Sequence, residues 1–319
     1  MKGVKFVFIL IMTIILSGSV ALSGCQTVDS YGNLSITDVY AWIDYPATQF
    51  NTVFDNPDKA EKLTYSYDNT AIEIDEETHT VKALKTGTFK VEVKSEHFST
   101  SFNVYCERID TSDEVYAVDS VWLNRVDGFK KEWQDKGHEG RTTLFIGDSF
   151  FDSQSFWKTF YDDYSKFDAL CWGIGSTTTY TWEVLTDSLL KDCVAKNIVM
   201  HCGTNTVYDD RSSAEETISS LQRMFTLMHD RMPDTKIYWF TITHRIYDGA
   251  EELYPVVEKA NQAMIDWAQG KDWLVVIDSN PNIKYWHILP DGIHPNADGY
   301  GVFVDMLSAS DIEMASAIN

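Results

Sequence analysis

Positive charge is scarce in this chain. Its 26 lysines and arginines face 48 aspartates and glutamates, a formal net charge of −22 over 319 residues. Nucleic-acid binding needs basic groups to neutralise phosphates, so this balance argues against such a partner, and equally against a polybasic patch on anionic lipid. Cysteine is sparse too, at five. No C-x-x-C pair occurs and no His/Cys grouping has zinc spacing, so no metal is expected. G-x-x-x-x-G-K is missing, and "GIGSTT" lacks the third glycine of a dinucleotide loop, which leaves no nucleotide cofactor to expect. No G-x-S-x-G elbow is present, which argues against an ordinary α/β-hydrolase. What remains is a globular chain, 44% hydrophobic and 13% aromatic, suited to neutral or weakly charged partners.

The first residues read as an export signal. Lys2 and Lys5 precede "FVFILIMTIIL", an apolar run of signal-peptide length that is too short to span a bilayer comfortably. It leads to Leu22-Ser23-Gly24-Cys25, which resembles the bacterial lipobox. That resemblance implies that residues 1–24 are removed and that Cys25 carries the lipid, anchoring an exported protein to the bacterial membrane, facing outward. A plain secretory signal is the simpler alternative. Cys106, Cys171, Cys193 and Cys202 then remain, too few for a disulfide scaffold, and no obligatory bridge is expected.

Two rhythms follow a polar tether over 25–34. From 35 to 107, short alternating stretches such as "AIEID", "TFKVEVKS" and "FSTSFNVYC", separated by "DNT", "DEET" and "KTG", predict a small all-β sandwich. This segment also resembles the bacterial Ig-like modules of cell-surface proteins, although its pattern has His79 or its neighbours where those modules carry a glycine. Residues 108–139 read as a linker or covering helix stopped at Gly137. From 140 to 319, apolar runs ("TTLFIG", "DALCWGI", "NIVMHCG", "KIYWFTIT", "WLVVIDS") alternate with helical segments, including "SQSFWKTFYDDYSKF" and a last helix from about 295 to 310. Strands apolar throughout, joined by helices, predict a five-stranded parallel sheet covered on both faces, a flavodoxin-like α/β/α sandwich.

In such folds the chemistry gathers at the carboxyl ends of the strands. There the sequence places Gly147-Asp148-Ser149 after the first strand, "HCGTN" with Asn205 after the third, and "PDGIHPNADGY" with Asp291 and His294 after the fifth. Serine needs a base to become nucleophilic, histidine can be that base, and an aspartate three residues earlier can orient it. Asn205 and the Ser149 backbone N–H supply donors for an oxyanion, and a third is expected from the loop after the second strand.

"FIGDS", "GIGS", "GTN" and "DGIHP" resemble, in order, the blocks of the SGNH (GDSL) hydrolases, over residues 140–310. The resemblance implies Ser149 as nucleophile, Asp291 and His294 as its partners, and Asn205 with a loop glycine as oxyanion donors. The second block departs from the family: Cys171 replaces its asparagine and Ser176 its last glycine, so either Gly175 or Ser176 is the backbone donor. Asp148 is expected to brace the turn, and His201 and His244 to be core or rim residues. His287 lies close to the Asp291–His294 loop. Trp157, Trp172, Tyr180, Trp182 and Trp286 flank the motifs, either as sugar-stacking surfaces or as packing. The reading is a surface esterase removing small acyl groups, acetyl foremost, from carbohydrate. The alternatives are a lipase or lysophospholipase on the same scaffold and a non-catalytic adhesin.

Overall fold

The computed structural model describes residues 31–112, 116–136 and 140–317. The signal segment, Cys25 and Gly137 lie outside them. The N-terminal region is all-β: β1 (Leu34–Ile36), β2 (Val39–Trp42), β3 (Thr48–Gln49), β4 (Thr52–Phe54), β5 (Thr64–Ser66), β6 (Ile72–Asp75), β7 (Thr80–Ala83), β8 (Gly87–Lys94) and β9 (Ser99–Glu107). One sheet runs β2-β9-β8-β5, the other β3-β7-β6, with β1 and β4 paired apart. Alternation along β8 and β9 turns Val91, Val93, Phe102 and Val104 inward, onto Ile72 and Val81 of the facing sheet. The short strands β3 and β4 escape a pattern search because two or three residues show no period.

Next come α1 (Ser120–Lys136), β10 (Thr143–Gly147), α2 (Phe160–Asp163), β11 (Ala169–Cys171), α3 (Thr179–Ser188), β12 (Asn197–His201) and α4 (Thr204–Tyr208). After them follow α5 (Ala214–Arg231), β13 (Lys236–Phe240), α6 (Tyr254–Ala268), β14 (Leu274–Ile277) and α7 (Ala297–Ser308). The five strands form a parallel sheet in the order β11-β10-β12-β13-β14. Both faces are covered, as the unbroken apolar runs require. Leu144, Ile146, Ile198, Met200 and Trp239 face the α1, α3, α5 and α6 side. Phe145, Val199, Tyr238 and Phe240 face α7, through Phe303 and Leu307. Ser213 and Glu216 form a capping box that starts α5 where the apolar period begins.

The helix expected over "SQSFWKTFYDDYSKF" shrinks to the four residues of α2. Asp152 accepts from Gln154 N–H through its side chain and from Phe156 and Trp157 N–H through its carbonyl, folding the segment into turns. Its aromatic residues enter different sites: Trp157 and Phe160 the core, Phe156 the ring of His294.

The sandwich and the α/β region meet through buried polar contacts. Trp42 Nε1 donates to Ser219 Oγ of α5 at 3.1 Å, and Tyr45 donates to Glu183 of α3. Glu183 receives Arg223 Nε at 2.7 Å, and the guanidinium lies over the Trp42 ring. Asn51 Nδ2 donates to the carbonyls of Asp266 and Trp267 at the end of α6.

Candidate active site

β10 ends on Gly147, whose φ is +129° and whose Cβ position lies 1.8 Å from the His201 carbonyl oxygen. Any side chain there would drive β10 and β12 apart, so glycine is required where the Ser149 turn leaves the sheet. The next residue, Asp148, is fully buried. It accepts from the Phe150 N–H at 3.0 Å, capping the single turn Ser149–Phe151, and from His201 Nδ1–H at 3.1 Å. His201 is satisfied on its other nitrogen by Thr243, and its ring stacks on Phe150 at 4.0 Å. Both phenylalanines after the serine are therefore core residues, wholly buried, and they hold Ser149 at the lip of the sheet.

Across the strand ends, His294 Nε2 lies 2.8 Å from Ser149 Oγ, and His294 Nδ1 lies 2.7 Å from Asp291 Oδ2. An ionised carboxylate can only accept, so Nδ1 carries the proton and Nε2 is the bare nitrogen facing the hydroxyl. Asp291 Oδ1 accepts from the backbone N–H groups of Ile293 and His294 at 2.8 and 3.0 Å. Partial burial raises the Asp291 pKa, but the hydrogen bonds from the His294 ring and these two N–H groups outweigh it and hold it below the ordinary aspartate value. Phe156 covers the imidazole at 3.6 Å, nearly parallel to it. Sequence reasoning missed this lid because Phe156 belongs to the segment expected as a helix.

The loop after β11 faces Ser149: a Cβ on Gly175 would sit 3.8 Å from that of Ser149. Among the described residues, no acceptor takes the backbone N–H of Ser149, Gly175 or Ser176. Ser176 has φ +65°, the left-handed region a glycine would occupy without strain. The expected donor thus keeps a glycine-like backbone despite its side chain. Cys171 Sγ lies 2.8 Å from the Phe151 carbonyl oxygen, and burial pushes the thiol up to about 12, so it is protonated and donates there. It braces the Ser149 turn from the position where the SGNH resemblance leads one to expect asparagine. Gly173 approaches the same carbonyl so closely that its Cβ position is 2.0 Å from it.

Asn205, in the first turn of α4, donates from Nδ2 to the Thr177 carbonyl at 2.8 Å and accepts Arg245 Nη2–H on Oδ1 at 2.7 Å. Arg125 of α1 forks onto both oxygens of Asp152 and donates to the Gly173 carbonyl, tying the covering helix to the second loop. Neither arginine was singled out from sequence. For Arg245 the signal was a charged residue just past the end of a buried strand, on the edge where the motifs lie.

The flanking tryptophans divide sharply, while Tyr180 is half-buried. Trp157, Trp172 and Trp182 are at most 1% exposed and serve as packing, whereas Trp286 is 56% and Tyr285 72% exposed. Trp286 is tied to the Asp291–His294 loop by Asn296 Nδ2, which donates to its carbonyl. His287 accepts from the Lys284 N–H, and His244 stacks on Tyr254. Cys106, Cys171, Cys193 and Cys202 are all buried and unpaired.

Residues 145–302 match the profile of the GDSL-like Lipase/Acylhydrolase family. Platelet-activating factor acetylhydrolase IB subunit alpha2 from Rattus norvegicus and from Homo sapiens is 29% identical over 121 residues, 37% of this chain and 50% of that protein. The chain thus spans about half the length of the curated relatives it matches. A crystal structure of a Bacteroides fragilis protein assigned as an acylhydrolase covers 60% of this chain and 97% of its own, at 16% identity and a TM-score of 0.50, a likeness of fold. The chain carries, over residues 145–302, a domain of the GDSL-like lipase/acylhydrolase family.

Proposed function

We propose that the chain is a serine esterase that removes small acyl groups, acetyl foremost, from carbohydrate, and that it works at the outer face of a bacterial membrane, held by a lipid on Cys25. The single observation that carries the chemistry is the unbroken relay from Asp291 through His294 to Ser149, with both links under 3 Å. Ser149 Oγ gives its proton to His294 Nε2 and attacks the ester carbonyl carbon. The resulting oxyanion is met by the N–H of Ser149, that of Gly175 or Ser176, and the second Nδ2 hydrogen of Asn205; each such donor is worth about 10²–10³ in rate. His294 returns the proton to the departing alcohol, and water, activated by the same imidazole, releases the acid and restores Ser149.

Short acyl groups are favoured because the name of the curated relatives is that of an acetylhydrolase. The sugar rests on the exposed Tyr285-Trp286 pair beside the base loop, whose faces suit stacking on a pyranose. The lipid anchor rests on the "LSGC" motif, and the Ig-like reading of the β-sandwich makes it the spacer between membrane and enzyme. A second reading, a lipid ester, draws on the same relatives, whose name ties acetyl to platelet-activating factor.

A panel of acetylated xylo- and chito-oligosaccharides, acetyl and octanoyl 4-nitrophenyl esters and acylated lipids separates the readings. Release of acetate from the oligosaccharides, with octanoyl ester turned over at least about tenfold more slowly than acetyl, is the expected result; a tenfold preference is about 1.4 kcal/mol of barrier. Preference for octanoyl or lipid esters would replace the sugar reading. A folded protein inert on every ester and unlabelled by phosphonate would remove the esterase reading and favour the non-catalytic adhesin.

A further inference from the structure

We propose that Arg245 is the positioning residue of the oxyanion site, fixing which end of the Asn205 amide faces the reacting carbonyl. The proposal rests on the esterase reading above. The two ends of an asparagine amide are nearly the same shape, and only the NH₂ end can stabilise an oxyanion. Nothing in the covalent structure of Asn205 selects that end; its neighbours do.

Arg245 Nη2 stands 2.7 Å from Asn205 Oδ1, and a guanidinium has no lone pair with which to accept. The Thr177 carbonyl stands 2.8 Å from Nδ2 and can only accept. Turning the amide over would set donor against donor and acceptor against acceptor, replacing two hydrogen bonds by two repulsions. The two contacts therefore agree on one orientation. They also use only one of the two Nδ2 hydrogens, which leaves the other for substrate.

Arg245 is itself held on every side. Its guanidinium forks onto Asp209 at 2.8 and 3.0 Å, Nε donates to Thr204 Oγ1 at 3.2 Å, and the plane lies 4.9 Å from the Tyr208 ring centre. Its carbonyl accepts from Tyr254 OH at 2.7 Å. At 3% exposure the cation does not reach a substrate, so it acts through Asn205. The next residue, Ile246, donates its N–H to the Gly292 carbonyl at 2.7 Å, in the loop that carries Asp291 and His294. One short segment after β13 thus sets both the oxyanion amide and the base loop in a common frame. Lysine cannot substitute, because a single ammonium cannot grip Asp209 as a fork and still reach Asn205 in plane.

The test compares wild type, Arg245→Met, Arg245→Lys, Asn205→Ala and the double variant Arg245→Met/Asn205→Ala, using 4-nitrophenyl acetate and amide NMR on the full mature chain. Arg245→Met and Arg245→Lys are expected to lower kcat about 10- to 100-fold, part of the loss from removing an oxyanion donor outright, with KM within about threefold. The double variant is expected to be no slower than Asn205→Ala, because the arginine works through that amide. Multiplying losses, or a folded Arg245→Lys with wild-type kcat, would overturn the proposal.

A second readout does not depend on turnover. The Asn205 side-chain NH₂ resonances, assigned by their disappearance in Asn205→Ala, should exchange with solvent at least about tenfold faster in Arg245→Lys. Unchanged exchange overturns the positioning role. Faster exchange in a protein whose wild type hydrolyses no ester would uphold it while removing the esterase reading.

Discussion

On the proposed esterase reading, replacing Asp291 by asparagine should lower kcat more than replacing it by alanine. In the wild type, Asp291 Oδ1 receives two backbone N–H groups, from Ile293 and His294, while Oδ2 receives His294 Nδ1–H. An asparagine must keep its oxygen at the Oδ1 site, since an NH₂ group there would face two donors. Its NH₂ then lands 2.7 Å from Nδ1 and donates to it. The imidazole is forced into the tautomer with its proton on Nε2, the atom 2.8 Å from Ser149 Oγ, and the base is lost. A locked wrong tautomer costs about 10⁴ in kcat, or ~5.4 kcal/mol at 1.36 kcal/mol per decade. Alanine imposes no tautomer. The Asp291 side chain is 39% exposed, so water can reach Nδ1–H and keep the productive form, for a loss of about 10²–10³. Steady-state kinetics on 4-nitrophenyl acetate decide it. An Asp291→Asn variant as active as Asp291→Ala, or more so, would refute the reasoning.

Three further outcomes follow from the geometry. Arg223→Met leaves the Glu183 carboxyl buried without its cation and should cost about 3–5 kcal/mol in urea unfolding; a loss under about 1 kcal/mol would show that the junction carries little. Lys271, held by the Trp267 carbonyl and Asn51, has its ammonium pulled down by burial to about 7 from the ordinary 10.5. The folded state then binds fewer protons than the unfolded state between those values, so wild-type stability gains from this group as pH rises through that window. Lys271→Met should remove that gain, its stability relative to wild type falling between pH 7 and 10.5, and a difference constant with pH would contradict it. Ser176→Gly keeps the N–H and relieves the positive φ, so kcat should stay within about twofold; a tenfold loss would mean that the hydroxyl itself works.

The parallel sheet and its working edge were legible because uninterrupted apolar runs and strand-end motifs are local signals. Ser149 and Asn205 sit just beyond β10 and β12, and Asp291 and His294 lie in the long loop between β14 and α7, so the parallel topology brings all four to one edge. The parts that escaped depend on partners distant in sequence. Phe156 covers His294 only because Asp152, gripped by Arg125 of α1, breaks the expected helix into turns. The tryptophans of the motif loops were open to two readings, and burial decides them: three are core, and Trp286 alone of the four is exposed. Arg245 has no motif; the role proposed for it rests on its contact with the amide oxygen of a residue 40 positions earlier. Ser176 shows the opposite case, in which an irregular residue keeps the backbone shape of the glycine it replaces.

The central claim is that Ser149 is a nucleophile activated by His294. Its most direct test is a fluorophosphonate reaction followed by peptide mass spectrometry on wild type, Ser149→Ala and His294→Ala. The account predicts one adduct per chain, on the peptide carrying Ser149, absent in Ser149→Ala and slowed about a thousandfold or more in His294→Ala. An adduct on another residue, or none on folded wild-type protein, would contradict it.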